Sequence, residues 1–70
     1  MNKVKWHPYP QEKPQKNDSY LITLKGRNSI PFVCQDIYND DIKAFRFEGY
    51  PTFEKVTAWA ELPEPYEEEV

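Results

Sequence analysis

Few residues of this chain could take part in catalysis or in metal binding. His7 is its one histidine and Cys34 its one cysteine. A cysteine nucleophile needs a base held beside it, whereas a cysteine in an apolar run such as Phe32-Val33-Cys34 is usually a small buried hydrophobe. A metal site needs three or four ligands, and the first carboxylate after His7 is that of Glu12. We therefore predict no enzymatic activity, no cofactor and no metal site.

Carboxylates that are neighbours in the sequence are also in unsuitable surroundings for acid–base chemistry. Such chemistry needs a carboxyl group in a dry pocket that shifts its pKa. Asp40 and Asp41 lie in a predicted turn, and residues 67–69 lie in a charged tail. We expect the carboxylates of both segments to be exposed to water. Gly26 and Gly49 are too far apart to form a glycine-rich phosphate loop. These patterns indicate turns and solvated charge.

The charge of the chain is divided unevenly between its two parts. Residues 1–27 contain six Lys or Arg and two acidic residues, a net charge of +4. Residues 28–70 contain three and ten, a net charge of −7, which gives −3 for the whole chain. Either the two parts meet and neutralise each other, or the first part is a basic face for a partner.

The basic part mixes cations with aromatic rings, a pattern typical of proteins that bind single-stranded nucleic acid. Domains that bind nucleic acid are, however, commonly basic as a whole, and this chain is acidic. Weak binding of single-stranded nucleic acid through the N-terminal arm is therefore the alternative function. The contacts that it predicts are Lys3, Lys5, Trp6, Tyr9, Lys13 and Lys16.

Aromatic residues make up 16% of the chain, and Tyr and Trp are common anchors of protein interfaces. Tyr50 and Phe53 flank Pro51 in a loop, and Tyr66 follows a Pro-Glu-Pro segment of polyproline type. The other explanation is that a thin sheet needs large side chains to form a core. An interaction surface is predicted to include Tyr50, Phe53 and Tyr66.

The length of 70 residues allows one domain with a single thin core, since a chain of this size can bury about 60% of its surface. No apolar run approaches the roughly 20 residues of a membrane-spanning helix, so no membrane association is expected. A small domain with one cysteine has no internal disulfide and fits a reducing compartment. Because no apolar signal region follows Met1, the expected location is the cytoplasm.

Regular turn signals without sustained helical periodicity predict a mainly β fold. The single domain, residues 1–70, is divided into a proline-rich extended arm (1–19), a β core (20–62) and a proline-rich acidic tail (63–70) that caps the core. We expect a small antiparallel meander of three to four strands. The strands are predicted at residues 20–25, 30–38, 42–47 and 55–61, with a hairpin turn at 39–41.

Alternation along the first strand places Tyr20, Ile22 and Leu24 on one face. The large arm residues Trp6 and Tyr9 are expected to anchor the arm on this core. In the last strand, alternation predicts that both faces are partly covered, with Val56, Ala58 and Ala60 opposite Thr57, Trp59 and Glu61.

Proline near the start of the second strand indicates an edge of the sheet. Proline lacks the N–H that a central strand would use, so Pro31 favours an edge position. An exposed edge makes pairing with a second copy easy.

The end of the chain carries a family resemblance. The segment Thr57-Ala58-Trp59-Ala60-Glu61-Leu62-Pro63-Glu64-Pro65 resembles the terminal signature Thr-His-Trp-x-x-Leu-Pro-x-Pro of the family called domain of unknown function 551. Trp6, the proline-containing stretch 8–14 and the strand at 20–24 match the rest of the family pattern. The histidine of that signature is Ala58 here, and Lys13-Pro14 stands in place of Leu-Pro. The resemblance implies a short bacteriophage or prophage protein with no established activity.

Together these features predict a non-enzymatic accessory protein of phage or prophage type. Its expected role is protein–protein interaction, with a host or phage protein or with itself as the partner. Binding of nucleic acid by the arm is the alternative.

Overall fold

The computed structural model of the chain describes residues 4–27, 30–51 and 54–64. These residues form one antiparallel five-stranded sheet with the order β1-β5-β2-β3-β4, which confirms the prediction of a mainly β domain. A 3-10 helix, Arg46–Gly49, follows β4. The strands are β1 His7–Pro8, β2 Asp18–Lys25, β3 Phe32–Asn39, β4 Ala44–Phe45 and β5 Lys55–Glu61.

The strand order differs from that of a simple meander, which would place β5 beside β4. Instead β5 lies between β1 and β2 and pairs with both. β4 has two residues and can pair with no more than a short segment. The free side of β2, by contrast, extends along the whole of β5, so the last strand gains far more hydrogen bonds there.

The return strand expected at residues 42–47 is reduced to β4. The turn takes up Asp40 to Lys43, and Lys43 has a left-handed backbone with a φ of 55°. Beyond β4 the N–H of Phe47 donates to Asp36 Oδ2 at 2.6 Å. Because a side-chain carboxylate takes this N–H, the chain leaves the ladder and turns into the 3-10 helix.

Pairing across the sheet defines its two faces, since residues directly opposite each other point to the same side. The core face carries Tyr20, Ile22 and Leu24, as predicted, and all three are buried. We call the opposite side the back face. The buried cluster consists of Tyr9, Tyr20, Ile22, Leu24, Tyr38, Phe45, Val56 and Trp59.

A β-bulge in β5 overturns the predicted alternation of that strand. Trp59 pairs with Ile22 and Val56 pairs with Leu24, with a shift of register between them. Thr57 is the extra residue, and a bulge of this kind places two residues opposite one. Val56 and Trp59 therefore both point into the core, although simple alternation places them on opposite faces.

The N-terminal arm covers the core face. The N–H of Tyr9 donates to Thr57 O at 3.0 Å, and the indole N–H of Trp59 donates to Glu12 O at 2.8 Å. Tyr9 is 7% exposed and anchors the arm as expected. Trp6 remains 38% exposed and lies outside the buried cluster, so the expectation that it anchors the arm is wrong.

Two core tyrosines differ in how their hydroxyl groups are satisfied. Tyr9 donates to Glu48 Oε2 at 2.6 Å, and its pKa is raised by burial and by this hydrogen bond. The Tyr38 hydroxyl is buried and has no hydrogen-bond partner among the described residues. We expect Tyr9→Phe to lower the free energy of unfolding by about 1.5–3 kcal/mol, since it removes a bond to a charged group.

Tyr38→Phe is the matched control in the same core. It removes an unsatisfied hydroxyl, so the free energy of unfolding should stay constant or rise by up to about 1 kcal/mol. Urea denaturation followed by tryptophan fluorescence measures both variants. A loss of stability in Tyr38→Phe as large as that in Tyr9→Phe would contradict this description of the core.

Candidate interaction surface

The back face is formed by rows of paired residues that run across the sheet. In one row Thr23 lies between Ala58 and Val33. In the next row Leu21 lies between Ala60 and Gln35. Further along, Ser19 pairs with Ile37. The centre of the face therefore consists of small or medium-sized side chains without charge.

Charge on the back face is confined to one end. Of the strand residues whose side chains point to this side, the charged ones are Lys25 and Lys55, which pair with each other. An antiparallel sheet with one face in water normally alternates apolar residues with polar ones on the wet side. In a chain with 30% charged residues, a sheet face whose centre lacks charged side chains is typical of a surface that contacts another protein.

Within the described part of the chain the back face is open toward β3 but covered on the side of β5. Ala60, which pairs with Leu21, is 1% exposed, and the arm and residues 62–64 lie beside Leu21. Val33 is 53% exposed and Ile37 is 49% exposed, while Leu21, Thr23 and Ala58 are partly buried. Such exposure of apolar side chains on a continuous face marks a site of interaction more often than isolated exposed residues do.

The edge of β3 borders the back face, and part of it is blocked. Ile37 N–H donates to Asp36 Oδ1 at 2.8 Å and so points away from β2. Because N–H directions alternate in an antiparallel strand, those of Val33 and Gln35 also point outward. β4 covers the end of β3 from Tyr38 onward. By strand order β4 and not β3 is the outer strand on this side, so the prediction of β3 as the edge is wrong; β3 is open for strand pairing only along residues 32–35.

Of the interaction residues predicted from the sequence, Tyr50 is the one that lies within the described residues. It is 57% exposed and directly follows the 3-10 helix. Phe53 and Tyr66 lie outside the described residues.

The predicted nucleic-acid contacts are dispersed, and some are already engaged. Tyr9 is buried and cannot stack on a base. Lys13 donates to Lys43 O at 2.8 Å, and Lys16 lies 3.9 Å from Asp18. Lys5 and Trp6 are exposed, and Lys3 lies outside the described residues.

Two open grooves near the arm have walls of mixed charge. The larger, of about 890 Å³, lies between the arm and the end of β5 and contains Lys5 together with Glu61 and Glu64. The smaller, of about 490 Å³, contains Lys13 and Lys16 together with Glu12 and Glu61. A phosphate backbone would meet carboxylates in both places. The basic residues of the arm therefore do not make one continuous basic surface.

His7 has a packing role in this structure. Its ring stacks on Trp59 with the centroids 4.3 Å apart, and its Nδ1 lies 3.2 Å from Glu12 Oε1. No group of three or more His, Cys, Asp or Glu that could hold a metal ion occurs in residues 4–27, 30–51 and 54–64. Over the same residues there is no helix long and apolar enough to cross a membrane.

Sequence reasoning missed the back face as a surface. The signal is present in β2 and β3, where the positions that alternate with the core residues are Ser19, Leu21, Thr23, Lys25, Val33, Gln35, Ile37 and Asn39. Lys25, at the end of β2, is the one charged residue among them. Recognising the face also required the pairing of β5 with β2, which brings Ala58 and Ala60 beside them.

No family model matches the chain, and neither a curated protein nor a solved structure matches it. The resemblance of residues 57–65 to domain of unknown function 551 stays a prediction.

The single thiol gives a direct check of the core face. Cys34 pairs with Ile22 and packs against the buried cluster, and burial raises the pKa of its thiol. The thiolate is the reactive form, so the folded protein should react slowly with iodoacetamide at pH 8. The rate should fall about tenfold for each unit by which the pKa is raised. An alkylation rate equal to that of the urea-unfolded chain would contradict this placement.

Proposed function

We propose that the protein is a non-enzymatic protein–protein interaction module whose binding surface is the back face. The observation that carries this proposal is that the rows around Leu21, Thr23 and Val33 lack charge and end in the exposed side chains of Val33 and Ile37. A face without charge is complementary to another flat apolar surface, because binding then desolvates no unpaired charge. The partner is therefore a protein with an uncharged sheet or helix face.

The size of the surface suits a reversible interaction. β2 is eight residues long, which gives about 26 Å at roughly 3.3 Å per residue. Five strands spaced by about 4.8 Å span roughly 19 Å. The face thus offers on the order of 500 Å² to a partner, near the size of the largest functional patches on small proteins and at the lower end for a specific interface.

The proposed setting is the bacterial cytoplasm, as an accessory protein of phage or prophage type. The resemblance of the C-terminal block supports the origin. The free thiol of Cys34 suits a reducing compartment.

Binding of single-stranded nucleic acid is the competing outcome. Exposed Lys5 and Trp6 support it, whereas the carboxylates Glu61 and Glu64 beside Lys5 do not. Nuclease treatment separates the two functions, because only contacts with nucleic acid are lost with it.

The test compares charged substitutions on and off the back face. Tagged wild type, Ile37→Lys and Ile42→Lys are used to capture proteins from bacterial lysate with and without nuclease. Ile37 points to the back face, while Ile42, 66% exposed, lies in the turn. We expect a nuclease-resistant protein band that Ile37→Lys weakens by at least about tenfold, since a buried unpaired charge is costly, and that Ile42→Lys retains.

Two results would overturn the proposal. The first is equal capture by both variants, which would place binding elsewhere. The second is material that disappears with nuclease, which would move the function to the arm. Thermal unfolding of each variant confirms that the fold is intact, since both substitutions replace exposed side chains.

A further inference from the structure

Two lysines form an unfavourable pair at one end of the back face. Lys25 and Lys55 stand directly opposite each other on neighbouring strands, and like charges in this position destabilise a sheet. Neither makes an ion pair within the described residues. Arg27 follows β2 at the same end of the sheet. Among the described residues, the carboxylate at this end is that of Glu54. This end therefore carries positive charge that an acidic group on a partner could balance.

The opposite end of the same sheet carries carboxylates in excess, although Lys5 and Lys13 also lie there, in the grooves that contain Glu61. β2 begins there, and β3 and β5 end there. Lys16 and Lys43 balance Asp18 and Asp40 through ion pairs. The remaining carboxylates of this end, which make no ion pair within the described residues, are those of Asp41, Glu61 and Glu64.

We infer that the partner of the back face is a second copy of this chain, packed face to face with its strands antiparallel. The inference rests on the proposed function, because it names the occupant of the same surface. A twofold axis parallel to the sheet and perpendicular to its strands places each strand over its own copy in the opposite direction. Two such sheets pack about 10 Å apart at an angle near −30°.

This arrangement places the lysines of one copy over carboxylates of the other and packs the two uncharged centres against each other. Lys55, at the start of β5, lies over the end of the partner's β5, where Glu64 follows the strand. Lys25, at the end of β2, lies over the start of the partner's β2, next to the turn that contains Asp40 and Asp41, because the Asp40 N–H donates to Asn17 Oδ1 at 2.6 Å. The uncharged centre of one copy covers that of the other. A parallel arrangement would instead bring the two lysine pairs together.

The dimer should be weak and reversible. Two faces of on the order of 500 Å² bury about 1,000 Å² in total, the least that a specific interface needs. We expect a dissociation constant between about 10 µM and about 1 mM. Sedimentation equilibrium at low ionic strength, from about 10 µM to about 1 mM purified protein, covers this range.

Reversing the charges at each end tests both the occupant and its orientation. The first variant is Lys25→Glu with Lys55→Glu, and the second is Asp41→Lys with Glu64→Lys; all four residues are exposed. Each variant alone brings like charges together and should self-associate at least about tenfold more weakly than wild type. An equimolar mixture restores opposite charges at both ends and should regain association within about threefold of wild type.

The outcomes separate this inference from the proposed function. A wild type that stays monomeric at about 1 mM, or a mixture as monomeric as its components, overturns the second copy as partner. Dimerisation that survives Ile37→Lys also overturns it, because the contact then lies elsewhere. Capture from lysate that distinguishes Ile37→Lys from Ile42→Lys would still stand in these cases, with a different protein on the back face. Circular dichroism and thermal unfolding of all variants control for folding.

Discussion

The bulge at Thr57 places Val56 and Trp59 on one face of the sheet, and the rest of the fold depends on this placement. Trp59 connects the sheet to the arm, because its indole N–H donates to Glu12 O and its ring stacks on His7. With the arm held there, Tyr9 reaches Phe45 and the carboxylate of Glu48, which joins the arm to the 3-10 helix. All large buried side chains thus gather on the core face, while on the other face Ala60 is buried and Val33 and Ile37 are exposed.

The other side of the sheet is the surface on which the proposed interaction depends. A sheet face in water normally carries charge, yet here the charge lies at its ends and the centre is formed by Leu21, Thr23, Ala58 and Val33. The edge of β3 is a weaker candidate, because β4 and the Asp36 carboxylate block its second half. Edge strands are commonly blunted in this way, which prevents uncontrolled pairing.

Much of this fold can be predicted from local sequence pattern, but the bulge in β5, the short return strand and the candidate surface cannot. Alternation in β2 predicts Tyr20, Ile22 and Leu24 as core residues, and the turn residues predict the bend after β3. The bulge is invisible to alternation, because one extra residue in β5 reverses the faces of everything on one side of it. The short return strand depends on the carboxylates of Asp36 and Glu48, which capture backbone N–H groups of β4 and the 3-10 helix. The candidate surface arises from pairing between strands far apart in the sequence, so no local window contains it.

Methyl chemical shifts in a dilution series test most directly whether the back face is a contact surface. Leu21, Val33 and Ile37 report from the face, and Ile42, exposed in the turn, is an internal reference in the same molecule. If the back face is the contact surface, the methyl signals of the first three shift together as the concentration rises from about 10 µM to about 1 mM, while those of Ile42 stay constant. Methyl signals of the back face that do not change over this range, or changes confined to Ile42 and its turn, would contradict it.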